Sequence, residues 1–159
     1  MSMLRIIGAA VTVFSGIAAA YMLNGAARLT LCQNEAFISL VRFIRTEIEC
    51  YATPVPRALE RCPEGVLCAC GYTGHGSPSS VSELAKRCKI YDSSTQKSVE
   101  GFAKSIGRGY REEQLALCDH YIDELENRRR VISAELPIRK KMNSALCVSG
   151  ALAVVILLA

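Results

Sequence analysis

The chain closes on an apolar run at each end and keeps nearly all of its charge in between. Residues 4–23 are apolar apart from Arg5, Thr12 and Ser15, and residues 142–159 carry no charge at all. About 20 helical residues at ~1.5 Å each match a hydrocarbon core of roughly 30 Å, and about 18 is the lower limit. Both ends therefore read as transmembrane helices. Arg5 lies at an edge, where a long basic side chain can snorkel to the headgroups, and Thr12 and Ser15 can bond to their own helix. A cleaved signal peptide is the competing reading of the first run, because Ala18-Ala19-Ala20 offers small residues of the kind a signal peptidase accepts.

The basic residues set the topology. Arg139-Lys140-Lys141 directly precedes the second run and Arg128-Arg129-Arg130 stands just before that. Basic clusters against an apolar segment mark the cytoplasmic side, so residues 26–138 are expected in the cytoplasm. With 50% hydrophobic and 21% charged residues over 159 positions, the chain is neither disordered nor a polytopic membrane protein.

The middle reads as helical. Phe37, Leu40, Val41, Ile44, Ile48 and Tyr51 recur at spacings of three and four, which predicts one apolar stripe on a helix over 26–52. Asn24-Gly25 is the soft joint expected between this helix and the first run. Thr53-Pro54-Val55-Pro56 must end the helix, since each proline disfavours the α conformation in the residue before it, and Pro56 can open a second, short helix over 57–61. Pro63-Glu64-Gly65 reads as a break and residues 71–80, with three glycines, three serines and a proline, as a loop.

Further helices are expected from Ser80 or Ser82 to about Tyr91, and over 93–106, where Val99, Phe102, Ala103 and Ile106 share a face and Gly107 stops the run. Leu115, Cys118, Ile122, Leu125, Ile132 and Leu136 form a seam over 112–136, interrupted only by Arg129. That helix is long enough to pair antiparallel with the first one. Pro137 is expected to kink it, and no strand pattern competes.

Chemistry-bearing motifs are sparse. His75 and His120 belong to no hydrolase signature, Gly107-Arg108-Gly109 lacks the remainder of a dinucleotide loop, and no phosphate loop is present. Glu47 and Glu49 are two apart and point to different sides of a helix, so they form no carboxylate pair. The arginine triplet lacks the interleaved aromatics of a nucleic-acid face. Eight cysteines contain no Cys-x-x-Cys pair. Cys32, Cys50 and Cys118 are expected as reduced thiols on apolar helix faces, and Cys147 lies in the second apolar run. Cys62, Cys68, Cys70 and His75 could supply four ligands to zinc or act as a redox sensor, and a disulfide framework in an external domain competes with both readings.

A resemblance adds to these readings. The stretch Glu47-Ile48-Glu49-Cys50-Tyr51-Ala52-Thr53-Pro54-Val55-Pro56-Arg57-Ala58-Leu59, then Ile106-Gly107 and Gln114, then Lys141, Leu146, Gly150 and Val155-Ile156-Leu157-Leu158 is similar to the stage III sporulation protein AB family over nearly the whole chain. Tyr110 and Cys147 stand where that family carries an aspartate and a glycine. The resemblance implies an all-α helical bundle like the cytoplasmic domain of type II secretion inner-membrane platform proteins, flanked by N- and C-terminal transmembrane helices.

It further implies a non-enzymatic scaffold in the mother-cell membrane around the forespore, without cofactors. The implied partners are an ATPase of the stage III sporulation protein AA type, other stage III sporulation membrane proteins, further copies of this chain and the lipid membrane, with no nucleic acid. The structural and interaction residues expected from the resemblance are Glu47, Glu49, Thr53, Pro54, Pro56, Leu59, Gly107 and Gln114, and from the seam pattern Arg129. The alternative from the residues alone is a membrane-bound metal or redox sensor built on Cys62, Cys68, Cys70 and His75.

Overall fold

The computed structural model describes residues 2–158, with side chains at all of them except 2–10, 12, 13, 20, 23, 24, 139, 151, 152 and 154–158. It is an all-α helical bundle: α1 (Ser2–Tyr51), α2 (Val55–Arg61), α3 (Glu64–Ala69), α4 (Val81–Arg87), α5 (Ser93–Ser105) and α6 (Arg111–Leu158). Among the described residues the only extended pairing is an isolated antiparallel bridge between Tyr72 and Cys88. The chain divides into two compact units, Thr30–Ile132 and the paired segments Met1–Leu29 with Ser133–Ala159.

Unit Thr30–Ile132 holds the core. Phe37, Leu40, Val41, Ile44 and Ile48 of α1 are buried as their spacing predicts, and so are Cys118, Ile122, Leu125 and Ile132 of α6. Val99, Phe102 and Ile106 fill the space beside α5, and Phe102 meets Tyr121 edge to face with ring centres 5.5 Å apart. The short helices add Leu59, Leu67, Val81 and Leu84. Arg42 pairs with Glu126, Arg45 Nε donates to Asp119 Oδ1 at 2.6 Å, and Arg111 reaches the carbonyl of Ile48 at 3.2 Å. Rising numbers on α1 meet falling numbers on α6, so the two helices run antiparallel within this unit.

Local chemistry sets the helix ends. Pro54 (φ −60°, ψ 141°) caps α2, and Pro56 sits in its first turn, where a missing N–H costs nothing. Ser80 accepts from the Glu83 amide at 3.1 Å, while the Glu83 carboxylate accepts from the amide and hydroxyl of Ser79. That is a shifted form of the reciprocal serine–glutamate cap, and the Ser79 donors hold the Glu83 carboxyl below its usual range. Gly107 (φ +82°) ends the α5 region in the left-handed conformation the sequence predicts there.

Several expectations are corrected. α1 runs without interruption through Asn24-Gly25, so there is no joint, and Tyr51 is 68% exposed because the chain turns away at Ala52 (φ +49°). Helix α2 starts at Val55 rather than Arg57, and α3 occupies a segment read as a break. Pro63, at φ −56° and ψ 131°, serves as the cap of α3, so the same residue that ends one helix begins another. Helix α4 stops at Arg87, four residues early, because Cys88 is drawn into its bridge with Tyr72. α6 does not end at Pro137, where the sequence predicts a kink and not a stop. Cys32 and Cys50 are exposed, whereas Cys62, Cys70 and Cys118 are buried.

The unit formed by Met1–Leu29 and Ser133–Ala159 has the opposite surface. Phe14, Ile17, Tyr21, Met22 and Leu29 of α1 are each more than half exposed, as are Ile138, Leu146 and Val148 of α6. Among the described residues no helix is long and apolar enough to cross a membrane. The expected spans, 4–23 and 142–159, fall in large part on positions outside the described side chains.

Candidate interaction surface

Most of the residues singled out from the sequence meet at one end of unit Thr30–Ile132, where α1 stops, α2 starts and α6 begins. Glu47 is 8% exposed and its Oε2 lies 3.4 Å from Arg61 Nη1 of α2, so a buried carboxylate ties the two helices across the elbow. Glu49 pairs with Arg45 one turn earlier. The Thr53 amide donates to the carbonyl of Glu47 at 3.2 Å, closing the turn through left-handed Ala52.

The prolines lie outside and their neighbours inside. Pro54 and Pro56 are exposed, while Val55, Ala58 and Leu59 are buried. The Pro54 carbonyl accepts from the Ala58 amide at 3.0 Å, so its ring is held by the first turn of α2. Gln114 Nε2 donates to the carbonyl of Gly109 at 3.1 Å, fixing the turn that leads into α6. Gly107, at the start of that turn, is exposed. Arg129 does not belong here: it is exposed on α6, 18 positions beyond Arg111 and about 27 Å along the helix.

Arg111 was not singled out, and it joins the two halves of this end. Its guanidinium donates to the carbonyls of Ile48 and Glu49, the last turn of α1, where unpaired carbonyls and the helix dipole favour a cation. Tyr51, two residues beyond Glu49, and Tyr110, next to Arg111, are 68% and 83% exposed. Tyr51, Tyr110, Pro54, Pro56, Arg57, Arg61 and Arg108, in the segments that make this end, are all exposed. Aromatic and arginine side chains are the types enriched at protein interfaces.

A second polar cluster, half-buried, lies at the start of α5. Arg128 donates to both oxygens of Asp92, at 2.9 and 2.6 Å, and Asp92 also accepts from the Thr95 amide and hydroxyl, each at 2.9 Å. The Arg128 fork and these caps hold the Asp92 carboxyl down at about 2. Asn34 Nδ2 donates to Thr95 Oγ1 at 3.1 Å, while Asn34 Oδ1 is buried without a hydrogen-bond partner.

Gln33 works in the same way on the loops. Its Nε2 donates to the carbonyls of Cys70 and Lys89, and its Oε1 accepts from the Tyr91 amide. A Cβ at Gly71 (φ +84°) would lie 2.8 Å from that amide, so only glycine fits beside it. Asp92 three residues before Thr95 is a readable cap signal. For Gln33 no local signal exists, because its partners lie 37 to 58 positions away.

The cysteines do not assemble a centre. Among the described residues no group of three or more His, Cys, Asp or Glu is placed to hold a metal ion. Burial pushes the Cys70 thiol far up, with Cys88 and Cys62 adding to it, and pushes Cys88 up to about 11. Burial likewise raises Cys62, and Cys118 to about 11. Metal binding and thiol exchange both need the thiolate, which these sites disfavour. Cys68 and His75 border an open cleft of about 300 Å³ beside α3, and both are exposed.

No protein-family model, no curated protein and no solved structure matches this chain.

Proposed function

We propose that the protein is a non-enzymatic platform subunit of a secretion-like channel complex between mother cell and forespore, required for endospore formation. In this reading the helical bundle is the counterpart of the cytoplasmic domain of type II secretion platform proteins, as the sequence resemblance implies. Segments 4–23 and 142–159 tether it in the mother-cell membrane as transmembrane helices, and the bundle faces the cytoplasm, where it docks an ATPase of the stage III sporulation protein AA type beside other stage III membrane proteins. The observation that carries this reading is the reversal of apolar exposure along α1 and α6. Phe37, Leu40, Ile44, Leu59, Leu84, Phe102 and Leu125 are buried in unit Thr30–Ile132, whereas Phe14, Ile17, Met22, Leu29, Ile138, Leu146 and Val148 are exposed in unit Met1–Leu29 with Ser133–Ala159. An apolar exterior fits lipid and a charged exterior fits water. The turn from Glu47 to Leu59, with Tyr51, Tyr110 and the two exposed prolines, is the surface offered to the ATPase.

Pro54→Ala combined with Pro56→Ala tests the docking surface. The double variant is expected to stay in the membrane fraction while recovery of the ATPase with the full-length protein falls by about tenfold, the loss of roughly 1.4 kcal/mol of contact. Equal ATPase recovery and unchanged spore yield overturn docking at this end. Labelling with a membrane-impermeant thiol reagent, in a variant keeping only Cys68, is expected only after the cells are opened. Labelling of intact cells reverses the topology and removes the ATPase from reach.

A further inference from the structure

Arg28 of α1 and Lys140 of α6 line one cleft of about 180 Å³ within unit Met1–Leu29 with Ser133–Ala159, walled by Ala27, Leu136 and Pro137. Both cations are exposed, and among the described residues no acidic one lines the cleft. The sequence positions fix the depth of this cleft if the apolar ends span the bilayer. Arg28 follows the first run by five residues and Lys140 precedes the second by two, about 7.5 Å and 3 Å along a helix. Both charges then stand at headgroup level, with Leu136 and Pro137 beside them as apolar wall.

Two cations over an apolar wall match an amphiphile with an anionic head, and basic pockets between helices on the cytoplasmic side bind acidic lipid headgroups.

We propose that the cleft between Arg28, Pro137 and Lys140 is a binding site for the phosphate of one anionic phospholipid. The proposal rests on the membrane reading of the chain ends and gives that membrane a stated composition at this point: a lipid such as phosphatidylglycerol, in preference to a zwitterionic one.

The test uses the full-length protein purified in mild detergent, titrated with short-chain phosphatidylglycerol, short-chain phosphatidylcholine and inorganic phosphate, with binding followed by native mass spectrometry and melting temperature. Wild type is expected to bind phosphatidylglycerol and to be stabilised by it. Arg28→Gln with Lys140→Gln is expected to lose about 30-fold in affinity, each basic side chain near an anionic surface contributing about fivefold. Arg28→Lys with Lys140→Arg keeps both charges and is expected to bind, and Lys86→Gln with Lys97→Gln, which removes two charges elsewhere, is expected to bind as wild type does.

Unchanged affinity in the Arg28/Lys140 glutamine variant overturns the site. Equal binding of phosphatidylcholine overturns the charge selectivity, and equal binding of inorganic phosphate makes it a free-anion site and overturns the lipid assignment. Carbonate extraction of membranes separates the two levels of failure. Protein that stays in the pellet while the glutamine variant still binds lipid loses the cleft alone, whereas protein released to the supernatant overturns the membrane reading together with the cleft.

Discussion

Within α1, residues 30–51 and residues 11–29 are one continuous helix with opposite rules for what faces out. In the first stretch Phe37, Leu40 and Ile44 are at most 2% exposed; in the second Phe14, Ile17 and Met22 are 73%, 57% and 75% exposed. Helix propensity cannot account for the difference, because both stretches are helical. The difference lies in the surroundings: helices α2 to α5 insert between residues 51 and 111 and cover the first stretch with a core. An apolar helix face is thus an unfinished statement in a sequence, completed by protein in one place and, in the reading proposed here, by lipid in another.

The sharpest way to break this comparison is a matched pair of truncations. Ile44→Ala removes a side chain with no exposed surface from the middle of the core and is expected to lower the unfolding free energy by about 3.5 kcal/mol. Ile17→Ala, at 57% exposure, is expected to change it by less than about 0.5 kcal/mol. Urea unfolding of the full-length protein in mild detergent measures both. Equal losses at the two positions would mean that the stretch over 11–29 is also packed against protein.

The interiors differ in what polar groups they hold, and Arg128 probes this. The Asp92 side chain is 13% exposed and that of Arg128 28%. Arg128→Ala leaves half-buried Asp92 without its cation and is expected to cost about 2 kcal/mol, within the range for losing charge-assisted hydrogen bonds. Arg111→Ala, which frees only carbonyls at the exposed end of α1, is expected to cost about 1 kcal/mol. Similar costs for the two arginines would show that the Asp92 cluster is no more than a surface ion pair.

The stripes in α1, α5 and α6 were legible because a period of 3.6 residues survives in the sequence whenever one helix face is buried. Phe37 to Ile48, Val99 with Phe102, and Cys118 to Ile132 all follow it. What escaped was mostly settled by distant partners. Gln33 is buried in α1 because three loop backbone groups converge on it, and nothing near position 33 announces them. Arg128, Arg129 and Arg130 are identical as letters, yet only Arg128 faces Asp92; the interruption of the seam drew attention to Arg129, which is exposed. Helix α3 was hidden because a proline that ends one helix can also cap the next. The elbow was legible as a stop, while its bracing by Arg61 and Arg111 was not.

Asp92 also gives the core-bearing unit a pH signature. Its carboxyl is held at about 2, below the ordinary 3.8. A depressed carboxyl stabilises the folded state above its unfolded value and ceases to do so as pH falls through its folded value. The unfolding free energy is therefore expected to lose about 2 kcal/mol between roughly pH 4 and pH 2, a figure that follows from about 1.4 kcal/mol per unit. Asp92→Asn removes that step and leaves the curve above pH 5 lower and flatter. A wild-type curve without the step would mean that the Arg128 fork does not persist in solution.

The smallest effect lies where the buried stretch of α1 ends. Ala52 adopts φ +49°, a conformation that costs an L-residue about 1–2 kcal/mol and glycine nothing. Glycine gives part of that back through its more flexible unfolded chain, about 0.4–1 kcal/mol. Ala52→Gly is therefore expected to raise stability by about 0.5 kcal/mol, read as a small rise in the urea midpoint with unchanged slope. A loss of stability instead would mean that Ala52 relaxes out of the left-handed region and that the Thr53 to Glu47 hydrogen bond is not what closes the elbow. The sign of a small change at one exposed alanine thus tests whether the turn that ends the buried stretch, and presents Tyr51 and the two prolines, is held by its own backbone.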